Sequence, residues 1–375
     1  MIQPFFANIP QQVLNDLKIR VQNTRWPNED DNSDWSYGCN SLYMKELSNY
    51  WVGDFDWRAV ENEINSYPNF IADIEGYKIH FLHIKGNGKK SIPLIITHGW
   101  PGSFLEMMKL IPLLTNNSEF SFDLVIPSII GFGFSGNGIQ AGCNSSFVAN
   151  LWDKLMKELG YKKYGAQGGD IGSGVSSWLA LQHPDSIIGI HLNYIPGSYK
   201  PYIKEKEQLS EEVLSFQEFA STWAAKEGAY VQVHSTKPLT LAYGLNDSPV
   251  GLCAWIIEKF NSWSDNNGNI ENVFTKQQLL ANVTLYWVTQ TIYSSIRIYL
   301  ENRKRPLIFA ANDFIKVPVG LAKFPKELPI PPRSYIEKGF NIQRWTEMPV
   351  GGHFAAMEQP DLLAKDIFDF FTEIV

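Results

Sequence analysis

The chain has 375 residues, 44% hydrophobic and 14% aromatic, enough for a large core carrying accessory segments. A formal charge of -7 and the lack of basic runs interleaved with aromatics exclude nucleic acid as a partner. Cys39, Cys143 and Cys253 are too few and too scattered for a metal site or disulfide framework, and no basic, apolar leader follows Met1, so a soluble, cytoplasmic protein is expected.

Pro10 is placed to open a helix whose apolar face carries Val13, Leu14, Leu17 and Val21. Beyond Trp26-Pro27 the chain stays rich in tryptophan and tyrosine at helical spacing, without a chemical motif. Residues 1–68 therefore read as an extension wrapped on a larger unit.

From residue 69 the pattern becomes strand-like. Runs at 69–74 and 77–83 flank Glu75-Gly76, a hairpin signal. His80 and His83 fall on opposite faces of that strand, which argues against a shared metal. Pro93 to Thr97 is a short apolar run of the kind found inside parallel sheets. It leads into His98-Gly99-Trp100-Pro101-Gly102-Ser103, a turn that would aim the Trp100 N–H at a developing oxyanion.

Asp123 to Ser128 is the next strand. Gly131-Phe132-Gly133-Phe134-Ser135-Gly136 matches the spacing of a dinucleotide loop, but residues 137–142 continue as loop where a helix must open. Gly86 to Ser91 lacks phosphate-loop spacing. No nucleotide is expected.

The decisive stretch is Gln167 to Gly174, between a short strand near 163–166 and a helical pattern from Val175. Glycines at 168 and 172 flank Asp170 with the spacing of the nucleophile elbow of α/β-hydrolases, with aspartate in place of serine. Residues 187–192 form another strand. Strand–helix alternation up to here predicts an α/β fold: a mostly parallel sheet with helices on both faces, first part 69–196.

Residues 197–304 are then mostly helical, at 209–223, 252–260 and 277–300, an insertion placed to act as a lid. The segment 277–296 is uncharged but interrupted by Gln278, Asn282, Thr284 and Gln290, so a buried helix is expected rather than a membrane span. The sheet resumes in 305–375 with strands at 315–322 and 341–346, and Pro360 starts a last amphipathic helix.

A hydrolase of this kind needs an acid and then a histidine after its nucleophile. His353, in Gly351-Gly352-His353, is the only histidine after the lid. Glu327 follows the preceding strand and fits as the acid, whereas its competitor Asp313 precedes that strand. A carboxylate nucleophile displaces at saturated carbon and leaves an ester that a histidine-activated water hydrolyses. Epoxides and alkyl halides both qualify.

These residues also resemble epoxide hydrolases of the microsomal type, especially shorter soluble members without a membrane anchor. The similarity runs along nearly the whole chain, through 5–27, 50–58, 98–103, 168–173, 235–238, 246–251 and 351–358. It implies Asp170 as nucleophile, Glu327 as orienting acid, His353 as base, and an oxyanion hole from the N–H groups of Trp100 and Ile171. It further implies Tyr230 and Tyr299 as lid donors to the epoxide oxygen, a choice that physical reasoning could not make among sixteen tyrosines. The expected partner is a small-molecule epoxide, with no metal or organic cofactor and no membrane span, and the resemblance admits a homodimer. Ile171 departs from the tryptophan of many members. It also weighs against a haloalkane dehalogenase, the alternative reading beside a catalytically silent binding protein on the same fold.

Overall fold

Residues 1–28, 34–138, 140–205 and 207–375 are described in a computed structural model. Their strands are β1 (Ile2–Pro4), β2 (Asn69–Ile74), β3 (Tyr77–Ile84), β4 (Lys90–Thr97), β5 (Phe120–Pro127), β6 (Tyr164–Gly168), β7 (Ile187–Leu192), β8 (Ile315–Lys323) and β9 (Phe340–Glu347). Among the described residues these nine form one sheet in the order β1-β2-β3-β5-β4-β6-β7-β8-β9. β1, β2, β3 and β5 are joined by antiparallel ladders, and everything from β5 through β4 to β9 is parallel. β4 sits between two parallel neighbours with Leu94, Ile95 and Ile96 fully buried, as its unbroken apolar run requires.

The hairpin between β2 and β3 turns on Glu75 (φ 55°) and Gly76 (φ 83°), the two left-handed residues of a tight turn matching strand twist. β1 was not expected. Three residues with a proline are too short to show alternation, and Pro4 is tolerated because β1 is an edge. The last helix, Pro360–Ile374, packs on β7 and β8, where Phe370 lies against Gly189 and Gly320.

The loop after β5 runs to a helix at Ser145–Glu158, capped by Asn144, so Gly131 to Gly136 opens no helix; Ile139 in that loop lies outside the described residues. Between β7 and β8 lie helices at Glu211–Glu227, Ala229–His234, Pro238–Asp247, Pro249–Ser262, Lys276–Thr289 and Ile292–Lys304. The single helix expected at 277–300 is two, because Gln290 takes a left-handed conformation (φ 53°) and ends the first. Periodicity carries no sign of such a break, since apolar residues recur at helical spacing on both sides of Gln290.

The N-terminal helices, Gln11–Gln22, Ser41–Gly53 and Trp57–Asn65, bury Leu14, Leu17, Val21, Leu47 and Trp51. They reach the helices between β7 and β8. Trp51 Nε1 donates to Thr284 Oγ1 at 2.9 Å, Cys39 Sγ to the Ala254 carbonyl at 3.1 Å, and Arg20 Nη1 to Asp247 Oδ1 at 3.0 Å.

Candidate active site

Asp170 stands where β6 gives way to the helix Asp170–Gln182, which begins five residues earlier than its apolar pattern suggested. Its φ of 46° is left-handed, uncommon for a side-chain-bearing residue and a mark of backbone held in place by its surroundings. The flanking glycines make that turn possible. A Cβ on Gly172 would lie 2.0 Å from the Thr97 carbonyl oxygen, and one on Gly168 2.3 Å from the Gly172 backbone. Strand and helix could not approach so closely with any larger residue.

The turn after β4 faces this elbow. The Trp100 N–H donates to Asp170 Oδ1 at 2.8 Å. His98 fixes the turn from behind: its Nε2 accepts from the Ile129 N–H at 3.1 Å and its Nδ1–H donates to the Gly99 carbonyl at 3.0 Å. Burial lowers its pKa to about 4, so it stays neutral in that role. Ile171 lies in the first helical turn, where N–H groups have no partner four residues back.

His353 Nε2 lies 3.6 Å from Asp170 Oδ2, and its Nδ1–H donates to Glu327 Oε1 at 2.5 Å, with both side chains almost fully buried. Three chain segments are tied together to achieve this. Lys326 pairs with Gly352, the Lys326 N–H bonds the Gly351 carbonyl, and the His353 N–H bonds the Trp263 carbonyl at 2.9 Å. Burial opposes a charged imidazole, but the Glu327 and Asp170 carboxylates outweigh it, and His353 titrates well above the usual imidazole range. Asp313 is exposed and accepts from the Ala310 N–H at its own turn.

Tyr230, on the short helix Ala229–His234, and Tyr299, on Ile292–Lys304, meet edge to face with ring centroids 5.9 Å apart. Tyr230 also stacks on Trp100 at 5.5 Å. Burial holds both phenols protonated far above their usual range, and Asp170 adds to the effect on each. Both line a cavity of about 570 Å³ that Asp170, Ile171, Trp178 and Tyr194 also border, a size suited to a small-molecule ligand. The other six residues singled out from the sequence therefore gather around the Asp170 carboxylate.

The chain matches the family model "Epoxide hydrolase N terminus" over residues 2–107 and "alpha/beta hydrolase fold" over residues 92–360. It is 37% identical to epoxide hydrolase 1 of Oryctolagus cuniculus, over 98% of this chain and 88% of that protein. The chain belongs to the epoxide hydrolase family. Among solved structures, juvenile hormone epoxide hydrolase of the silkworm Bombyx mori superposes with TM-score 0.89 at 29% identity, over 100% of this chain and 95% of that one. The Aspergillus niger epoxide hydrolase gives TM-score 0.86 at 32% identity, over 100% and 97%. The sheet and helices are thus an α/β-hydrolase fold. None of the described helices is long and apolar enough to cross a membrane.

Several side chains around this epoxide hydrolase's carboxylate belong to no chemical motif in the sequence. Asn282 Nδ2 donates to the Pro101 carbonyl at 2.8 Å and Tyr286 Oη to the Gly102 carbonyl at 2.7 Å, so helix Lys276–Thr289 holds the turn that presents the Trp100 N–H. Tyr194, just after β7, faces the His353 ring with centroids 6.1 Å apart. Glu106, Gln167 and Asn193 border Asp170 from another side. An interrupted apolar helix could have flagged Asn282, since a buried amide there needs a partner. Nothing comparable distinguishes Glu106.

Proposed function

We propose that this chain converts an epoxide and water into a vicinal diol through an ester on Asp170. The observation that carries the reading is the environment of that carboxylate. One oxygen faces the Trp100 N–H, the other faces His353, and the group borders a cavity shared with two buried phenols. An Asp170 oxygen attacks an epoxide carbon, and the C–O bond breaks towards the ring oxygen, which takes a proton from Tyr230 or Tyr299. Esterification removes the Asp170 charge that helps raise His353, and the neutral imidazole then takes a proton from water at Nε2 as the water oxygen adds to Asp170 Cγ, with the oxyanion facing the N–H groups of Trp100 and Ile171. Collapse breaks the bond between Cγ and the substrate-bound oxygen, which leaves as the second diol hydroxyl with the proton from His353, and the water's other proton, left on the new Asp170 carboxyl, returns to the tyrosinate. Glu327 orients the imidazole and supports its charge. The route calls for no metal or organic cofactor.

The same reading divides the chain into an extension (1–68), a first hydrolase part (69–196), a helical lid (197–304) and a second hydrolase part (305–375). Support for the lid comes from Tyr230 and Tyr299, which reach the cavity from that segment. The test is one turnover in 18O-water with enzyme in excess over an aryl epoxide, with Asp170→Ala alongside. The expected first diol is unlabelled, because its new oxygen comes from Asp170, and the variant forms none. Label in the first diol would overturn the nucleophile. No diol, with halide released from alkyl halides, would move the substrate class.

A further inference from the structure

A second, much smaller cavity touches the large one only through Asp170. It measures about 20 Å³, and its polar lining is Glu106, Gln167, Asn193, Asp170 and His353. A space of that size holds about one water, which needs two to four polar partners. Two partners stand ready. Glu106 Oε1 and Gln167 Oε1 are buried without a hydrogen bond among the described residues. Gln167 spends its amide on Asn193 Oδ1, at 3.0 Å, which leaves its carbonyl oxygen as an acceptor.

Glu106 reaches this place from the 3-10 turn Phe104–Met107, directly after the turn that carries Trp100. Its carboxyl lies over Gly102, where a Cβ would come 1.1 Å from Oε1, so the loop leaves that volume to the carboxyl. Burial pushes the group up to about 8 against the pull of His353, and the Asp170 carboxylate adds to the rise. A protonated carboxyl can both donate to and accept from a water.

We propose that Glu106, helped by Gln167, holds the hydrolytic water beside His353 in a chamber separate from the one that admits the epoxide. This rests on the ester route above. The held water gives one proton to His353 Nε2 and its oxygen to Asp170 Cγ. It reaches the ester from the small chamber while the substrate carbon chain still fills the large one. Ester formation uses none of these contacts, so Glu106 serves the second step alone.

The experiment separates the two steps by rapid quench, following the modified peptide containing Asp170 and the diol by mass spectrometry. Glu106→Leu is expected to leave ester formation unchanged and slow ester hydrolysis roughly 10- to 100-fold, the cost of a misplaced reactant. Glu106→Gln keeps an acceptor and a donor and should recover much of the loss. Gly102→Ala, which displaces the carboxyl without altering it, should also make ester accumulate if the Glu106 variants fold poorly. Ester hydrolysis at the wild-type rate in Glu106→Leu and Gly102→Ala overturns the proposal, as does equal slowing of both steps. Absence of ester even in His353→Gln would instead overturn the ester route itself.

Discussion

Tyr230 and Tyr299 differ from most of the chain's phenols in what surrounds them. A buried hydroxyl beside a carboxylate stays protonated, so it can give a hydrogen bond or a proton to an oxygen that is gaining charge. Tyr230→Phe or Tyr299→Phe should each lower the rate of ester formation by roughly 10²-fold, the usual loss for one donor to a developing oxyanion. Stopped-flow alkylation measures this, and an unchanged rate in both variants removes them from the first step. His353 makes a prediction about stability. Its folded pKa is raised above the ordinary value of 6.5, so folding favours the protonated form. The resulting stabilisation is complete below pH 6.5 and is lost as pH rises through the higher folded value. The gap in Tm between wild type and His353→Gln should therefore narrow from pH 6 upward, and a gap that widens would contradict it.

At the scale of elements, the site depends on how the sheet receives its last helix. Asp366, on Pro360–Ile374, accepts from Arg344 Nε at 2.7 Å and Thr346 Oγ1 at 2.7 Å on β9, and pairs with His191 Nε2 at 3.0 Å on β7. Burial works against the carboxylate, yet these partners hold it down to about 2. A depressed carboxylate stabilises the fold above its unfolded pKa of 3.8 and loses that contribution as pH falls through about 2. Asp366→Asn should cost roughly 1–2 kcal/mol at pH 7, discounted because Arg344 is partly open to solvent. Urea denaturation at pH 7 and pH 2.5 checks it, since the difference should shrink in acid. The same clamp ties β9 to β7 on either side of β8, and the loops leaving β9 and β8 carry His353 and Glu327.

Across the whole molecule, a line of contacts connects the N-terminal helices to the turn that carries Trp100. Trp51 bonds Thr284, and the same helix, through Asn282 and Tyr286, holds the carbonyls of Pro101 and Gly102. Trp51→Phe keeps the packing and removes one buried hydrogen bond, a loss of about 1 kcal/mol. Amide exchange should then quicken in Lys276–Thr289 as well as in Ser41–Gly53. Faster exchange confined to Ser41–Gly53 would mean that the extension only covers surface.

The parallel strands, the elbow at Asp170 and the turn at Trp100 were legible in the sequence because each rests on local requirements. A buried parallel strand must be apolar throughout, and a strained turn must be flanked by glycine. The expectation that Glu327 and His353 act after Asp170 rests on chain order, and that for the two tyrosines rests on family resemblance alone. Tertiary structure alone decided that β1 joins the edge, that Gln290 breaks a long helix, and that Glu106 and Gln167 meet at Asp170. Those outcomes depend on residues far apart in the chain sharing one small volume. Local patterns record what each residue prefers, and only the packed chain records which polar groups are left facing one another.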